Sequence, residues 1–312
     1  MAALFAQGVS SRQIAKAVLG SKSKKSTVND YLKRLGLRDT VTKEIKEEYK
    51  GAKIFLGDVE CSASVVYSFS RFKAFIQPDQ VIQEPYLLTV AGKWLHNPAI
   101  VSYKLTDYET FKTDITNDYE MVMDLWKILD ECNIFIAHNA KFDVGWLNQR
   151  FAYWGIKPPS PYKVIDTLRE IKSAFTLPAR SLAASANYFE LPNRKLDNSG
   201  WSLWKRCMEG DVDAFLEMET YNIGDITSLE DLYLKVRPFM KNHPNVALPY
   251  NDGIMRCPKC GSSNLIKVED KSYSTLVSEY DLYYCPDSQS YCRGRKNTRN
   301  KEVMGGTTIT VG

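Results

Sequence analysis

Three short stretches of this 312-residue chain carry carboxylates at spacings that make metal chemistry possible. Lys53-Ile-Phe-Leu-Gly-Asp-Val-Glu-Cys61 is an apolar run that closes on Asp58-x-Glu60. Residues two apart on a strand leave the same face, so two carboxylates project together from one strand end. Asn133-Ile-Phe-Ile-Ala-His-Asn-Ala-Lys-Phe-Asp143 reads as a buried strand passing into a helix. Asn139 and Asp143 then share a helical face if the helix begins at Asn139. Tyr221-Asn-Ile-Gly-Asp225 lies inside a helical pattern from about Asp211 to Val236, with Tyr221 and Asp225 one turn apart. Two acids closing an apolar strand are costly without a cation, and hard oxygen donors suit Mg²⁺ or Mn²⁺. Near the C-terminus, Cys257-Pro-Lys-Cys260-Gly sets two thiolates on a tight turn, and Cys285 and Cys292 follow. Four thiolates make a closed tetrahedral site of the structural Zn²⁺ kind. The second pair is Cys-x6-Cys where Cys-x2-Cys is usual.

The elements that must position these groups fall into three parts: 1–39, 53–245 and 251–312, with 40–52 as a linker. The net charge of +4 divides into +6 over residues 1–50, −4 over 51–250 and +2 over 251–312. Basic ends suit contact with nucleic acid. An acidic middle repels phosphate unless metal ions intervene, and four carboxylates loaded with two divalent ions form a nearly neutral seat. No apolar run approaches the ~18 residues of a membrane span, and no secretory signal opens the chain. A cytoplasmic, reducing location is expected, where clustered cysteines point to metal before disulfide.

The three acidic stretches, in this order and context, resemble the DEDD exonuclease superfamily, and within it the tyrosine-bearing branch. The resemblance covers roughly 190 residues. It implies an α/β, RNase H-like fold with a mixed sheet flanked by helices, and a 3′→5′ exonuclease working with two Mg²⁺ or Mn²⁺ ions. Carried over, Asp58, Glu60, Asp143 and Asp225 match the metal-binding acids, and Tyr221 the residue that positions the attacking water. Asn139 falls beside the substrate. Cys61 stands where Thr is more frequent and reads as a small buried residue. His138 reads as packed, not as a base. Asp166 closes another strand and is either a neighbour of the metal site or a helix N-cap. Residues 192–204 read as a basic, aromatic loop that either grips single-stranded substrate or packs.

Residues 8–20 and 26–36 read as two helices. Ser10 or Ser11 caps the first, and Ile14, Ala15 and Val18 share its apolar face. The pair resembles a helix-turn-helix, although the turn Gly20-Ser-Lys-Ser-Lys-Lys is about three residues longer than the standard one. The resemblance implies that Ser26, Thr27, Asn29, Asp30 and Lys33 face DNA, with Lys22, Lys24, Lys25 and Arg34 near phosphates. Residues 251–312 resemble a zinc ribbon with a basic tail, Arg293 to Lys301. DNA is the expected partner. The alternatives are an RNA exonuclease of the RNase D type, a structure-specific endonuclease, and a non-catalytic DNA-binding regulator on a nuclease-like scaffold.

Overall fold

The computed structural model describes residues 10–25, 28, 29, 32, 51–70, 72–193 and 199–299. They divide into two compact units, one holding the described residues up to 32 with 53–232, the other 51–52 with 233–299.

The first unit is built on a five-stranded mixed sheet in the order β5-β4-β1-β6-β7. These strands are β1 (Ile54–Cys61), β4 (Leu87–Trp94), β5 (Ile100–Lys104), β6 (Ile134–Ala137) and β7 (Lys163–Asp166). A two-stranded ribbon, β2 (Val65–Val66) with β3 (Val81–Gln83), stands between β1 and β4 in the chain. β4 runs antiparallel to β1 and to β5, whereas β6 is parallel to β1 and to β7. Ile54, Phe55, Leu56 and Val59 on β1 are buried, as are all four residues of β6. Burial on both faces is why these strands read as apolar runs and not as alternation. Gly57 on β1 is opposite Gly92 on β4. A Cβ on Gly92 would collide with the Phe55 ring, and one on Gly57 would lie 2.7 Å from Phe135. The two glycines leave the Phe135 and Phe55 rings the space that a Cβ would take, with Gly57 one residue before Asp58.

Helices flank this sheet. They are α1 (Ser11–Leu19), α2 (Tyr119–Glu131), α3 (Ala140–Tyr153), α4 (Thr167–Ala174), α5 (Leu182–Tyr188), α6 (Trp201–Met208) and α7 (Val212–Val236). Asp211 Oδ1 accepts from the amides of Asp213 and Ala214 and so starts α7. The buried Asp118 carboxylate joins three elements. Lying just before α2, it accepts from Arg150 on α3 and from the indole of Trp154, which caps α3, both at 2.7 Å, and from the Leu87 amide of β4 at 2.9 Å. A charge this deep is tolerable because each oxygen is hydrogen-bonded.

α1 opens with a capping box in which the Ser10 side chain accepts from the Gln13 amide, and closes at Gly20 with φ of 73°. Ile14 and Ala15 are buried. Val18, expected on the same face, is 46% exposed, so the buried stripe is a single turn long. The extra residues of the turn form a 3-10 helix, Lys22–Lys24, capped by Ser21. α1 is tied to the central unit by a relay of ion pairs: Arg12 to Asp107, Asp107 to Lys104 (2.8 Å), and Lys104 to Glu219 on α7 (3.1 Å).

The second unit holds a three-stranded antiparallel sheet, β10-β9-β8, made of β8 (Ile266–Ser274), β9 (Glu279–Cys285) and β10 (Ser290–Asn297). Among the described residues, no helix is long and apolar enough to cross a membrane.

Candidate functional site

Asp58, Glu60 and Asp225 come together: one carboxylate oxygen from each lies within 4.8 Å of the others. Asp58 and Glu60 leave β1 on the same face, and Asp225 reaches them from α7. Oxygen ligands around one Mg²⁺ or Mn²⁺ at ~2.1 Å are up to ~4.2 Å apart, so these three fit a shared cation after a small contraction. Asp143 is 2% exposed. Its Oδ1 accepts from the Val59 amide at 3.2 Å, which sets it against the peptide between the two β1 acids. It is not among the three converging carboxylates. Burial pushes its pKa up to about 7, against the pull of the Val59 amide, and the Asp166 charge adds to the rise.

Asn222 was not singled out from the sequence. It is fully buried on α7, and its amide donates to Asp58 Oδ2 at 2.6 Å and to the Asp58 carbonyl at 3.3 Å. The only signal for it is its place three residues before Asp225, on the adjoining face of one helix. Tyr221 is 8% exposed and meets the Trp204 ring edge-on at 6.3 Å between centroids.

Asn139 adopts a left-handed conformation, φ 69°, immediately before α3, so the helix starts one residue later than expected. Its amide donates to Asp166 Oδ1 at 3.0 Å. The same Asp166 oxygen accepts from Leu168 and Arg169, so Asp166 is an N-cap that also holds the β6-to-α3 turn. The two rings of contact at His138 are Thr167 Oγ1 through Nδ1 and the Arg180 carbonyl through Nε2, both 2.9 Å. His138 nonetheless borders an open cleft of about 380 Å³, with Asp58, Asp225, Leu168, Arg180 and Ser181. Asp58 and Asp225, two of the three converging acids, therefore stand at the wall of a space that can admit a ligand. The Cys61 thiol is pushed up to about 12 by burial and by the charges of Glu60 and Asp143, so it stays protonated.

Of residues 192–204, positions 194–198 lie outside the described residues, and Trp201 onward is helix α6, not loop. Gly200, with φ of 65°, makes the entry that the polar composition concealed. Of the N-terminal residues assigned to DNA, Ser26, Thr27, Asp30, Lys33 and Arg34 lie outside the described residues, Lys24 and Lys25 are exposed, and Asn29 is partly buried.

In the second unit, the sulfurs of Cys257, Cys260 and Cys285 lie within 4.8 Å of one another. Tetrahedral thiolates on Zn²⁺ at ~2.3 Å are ~3.8 Å apart, and Cys260 and Cys285 stand at 3.6 Å. The turn is closed by the Gly261 amide donating to the Cys257 carbonyl, with Gly261 at φ 78°. The Cys260 thiol and the Ser288 hydroxyl favour the Cys257 thiolate, whose pKa falls to about 4, while that of Cys260 rises in turn. Cys292 is not in this group. It pairs with Tyr283 across β10 and β9. The residue at the Cys-x2-Cys position after Cys285 is Ser288, with its Oγ 3.2 Å from Cys257 Sγ. Two cations of the basic tail are engaged inside this unit: Arg293 lies over the Tyr280 ring at 4.0 Å, and Arg299 bonds Glu279 at 2.8 Å. Lys301 lies outside the described residues.

No protein-family model matches the chain, and no curated protein matches its sequence.

Proposed function

We propose that the chain is a divalent-metal-dependent 3′→5′ exonuclease acting on DNA, built on an RNase H-like domain of the tyrosine-bearing DEDD type. The observation that carries this reading is the convergence of Asp58, Glu60 and Asp225, with Asp58 and Asp225 at the wall of an open cleft. The sheet order, with three antiparallel strands leading into two parallel ones, is in keeping with that fold.

Bound there, Mg²⁺ or Mn²⁺ supplies Lewis acidity and a nucleophile at neutral pH. The chain's own part is positional. Asp58, Glu60 and Asp225 hold the cation, with Asp143 adjoining across the Val59 amide. Asn222 fixes the orientation of the Asp58 carboxylate toward the cation. Tyr221, one turn before Asp225, orients the attacking water through its hydroxyl. The cleft beside His138, Arg180 and Ser181 receives the terminal nucleotide. The second unit is a zinc ribbon in this reading, and the N-terminal helices guide the enzyme to DNA.

The test is a time course on 3′- and 5′-labelled DNA and RNA, single- and double-stranded, with Mn²⁺ or with chelator. Stepwise shortening from the 3′ end of DNA, abolished by Asp58→Ala or Asp225→Ala, is the expected result. Cleavage that persists in the doubly substituted protein or in chelator rules the site out. Faster attack on RNA turns the reading to the RNase D type.

A further inference from the structure

Between the acid pair on β1 and the start of β4, the chain makes an excursion that the metal site does not use. Its neck is tightly fastened. The Ser62 amide donates to the Tyr86 carbonyl at 2.8 Å, and the Tyr86 amide returns to Ser62 Oγ at 2.9 Å. β2 then pairs with β3, and the Tyr67 amide donates to the Gln80 carbonyl at 2.8 Å. Beyond the neck the side chains turn outward. Phe69 is 106% exposed, Phe72 85%, Phe75 82% and Tyr67 71%.

One exposed aromatic ring needs no explanation, but four within nine residues form a patch that points to a partner. Leaving each ring in water forfeits about 2 kcal/mol of burial. The loop backbone is held without those rings: Ser68 and Ser70 hydroxyls accept from the amides of Ser70 and Phe72. The rings are thus dispensable for the loop's own shape and available for contact.

The chemistry of the partner follows from the residues between the rings. From Tyr67 to Gln77 the charged residues are Arg71 and Lys73, and there is no acid. Aromatic faces spaced every second or third residue among cations and hydroxyls suit a polyanion with flat apolar faces, which is single-stranded nucleic acid. Location agrees. Six residues separate Glu60 from Tyr67, a span of at most about 24 Å, and the neck lies at the same strand end as the acids.

We infer that Tyr67, Phe69, Phe72 and Phe75 form a stacking platform for single-stranded nucleic acid, which leads the strand toward the acid cluster. This rests on the nuclease reading for its purpose, though not for its binding test. The probe is a fluorescent oligo-dT titrated against the full chain in chelator, which prevents cleavage. Phe69→Ala/Phe72→Ala/Phe75→Ala raises the Kd tenfold or more, since one lost stack is worth about tenfold. Lys73→Glu weakens binding and flattens its salt dependence. Phe69→Trp retains affinity, and its fluorescence is quenched on binding. An unchanged Kd in the triple variant overturns the platform, and a simultaneous change in self-association reassigns the face to protein contact. Hydrolysis of thymidine 5′-p-nitrophenyl phosphate by the unsubstituted chain with Mn²⁺ reports on the metal site separately. No hydrolysis, with loop-dependent oligo-dT binding, defeats the nuclease reading and leaves the platform. Hydrolysis with loop-independent binding does the reverse.

Discussion

The carboxamide of Asn222 donates to both the side chain and the main chain of Asp58, at 2.6 and 3.3 Å. One buried residue on α7 therefore fixes the orientation of the first acid on β1, and couples the helix that carries Asp225 to the strand that carries Asp58 and Glu60. Outer partners that orient metal ligands typically contribute 10–100-fold in affinity. Asn222→Ala should weaken Mn²⁺ binding by about tenfold or more, measured by calorimetric titration, while the circular dichroism spectrum is retained. An unchanged Mn²⁺ affinity would show that Asp58 needs no such support.

How much of this was readable beforehand depends on where each signal lives. β1 and β6 declared themselves because burial on both faces leaves an unbroken apolar run, and the acids at the end of β1 break it. α7 was readable from its period. Asn222 was not, because a buried polar residue in a helix has no mark until its partner, 164 residues away in sequence, is placed. The docking of α1 is likewise hidden, since Arg12 and Asp107 meet only in the folded unit. The sequence over helix α6 reads as loop because Pro192, the asparagines and Gly200 speak for a turn, and the helix starts only after them. Cys292 reads with the other thiolates because it is the remaining cysteine near them in the sequence. Its register against Tyr283 depends on the hairpin between β9 and β10, which spacing alone does not set.

Asp143 makes the site pH-dependent. Burial raises its pKa from the usual 3.8 to about 7, so the folded, metal-free protein keeps a proton that the unfolded chain releases above about pH 4. Where the folded state binds more protons, stability falls as pH rises. Metal-free Tm should therefore decline between about pH 4 and 7 and level off above. Asp143→Asn keeps the acceptor for the Val59 amide and removes the buried charge. It should stabilise the metal-free protein at pH 8 by on the order of 2 kcal/mol, and abolish hydrolysis. A flat metal-free Tm from pH 4 to 7 in the unsubstituted chain contradicts the burial argument. Since cations need the ionised form, Mn²⁺ affinity should climb about tenfold per pH unit below 7 if Asp143 ligates.

Gly92 tests the platform beneath the acids. Its cross-strand partner is Gly57, and the Phe55 ring occupies the space a Cβ would need. Gly92→Ala should cost roughly 1–3 kcal/mol, the range for overpacking a filled core, seen as a lower urea midpoint. The double variant Gly92→Ala/Phe55→Leu should recover part of the loss by making room. Equal stability of the single variant and the unsubstituted chain would mean that the ring moves aside freely.

The thiolate cluster offers the sharpest separation of residues. Cys257, Cys260 and Cys285 converge, Cys292 does not, and Ser288 occupies the position where the usual spacing puts the fourth sulfur. A structural zinc site is closed by four ligands, and the two candidates for closure differ in chemistry. Cys292 is desolvated and near the charges of Cys257 and Cys285, which push its thiol up to about 11; a cation among the thiolates reverses that penalty and draws it in. Ser288 has only a neutral hydroxyl to offer. Cys292→Ser should therefore weaken zinc retention by tenfold or more in competition with a chromophoric chelator, and reduce the sulfur-to-metal charge-transfer band of the Co²⁺ form by about one quarter, one ligand of four. Cys292→Ser/Ser288→Cys restores the Cys-x2-Cys spacing and should recover both. If Cys292→Ser holds zinc as tightly as the unsubstituted chain with an undiminished band, closure does not involve Cys292.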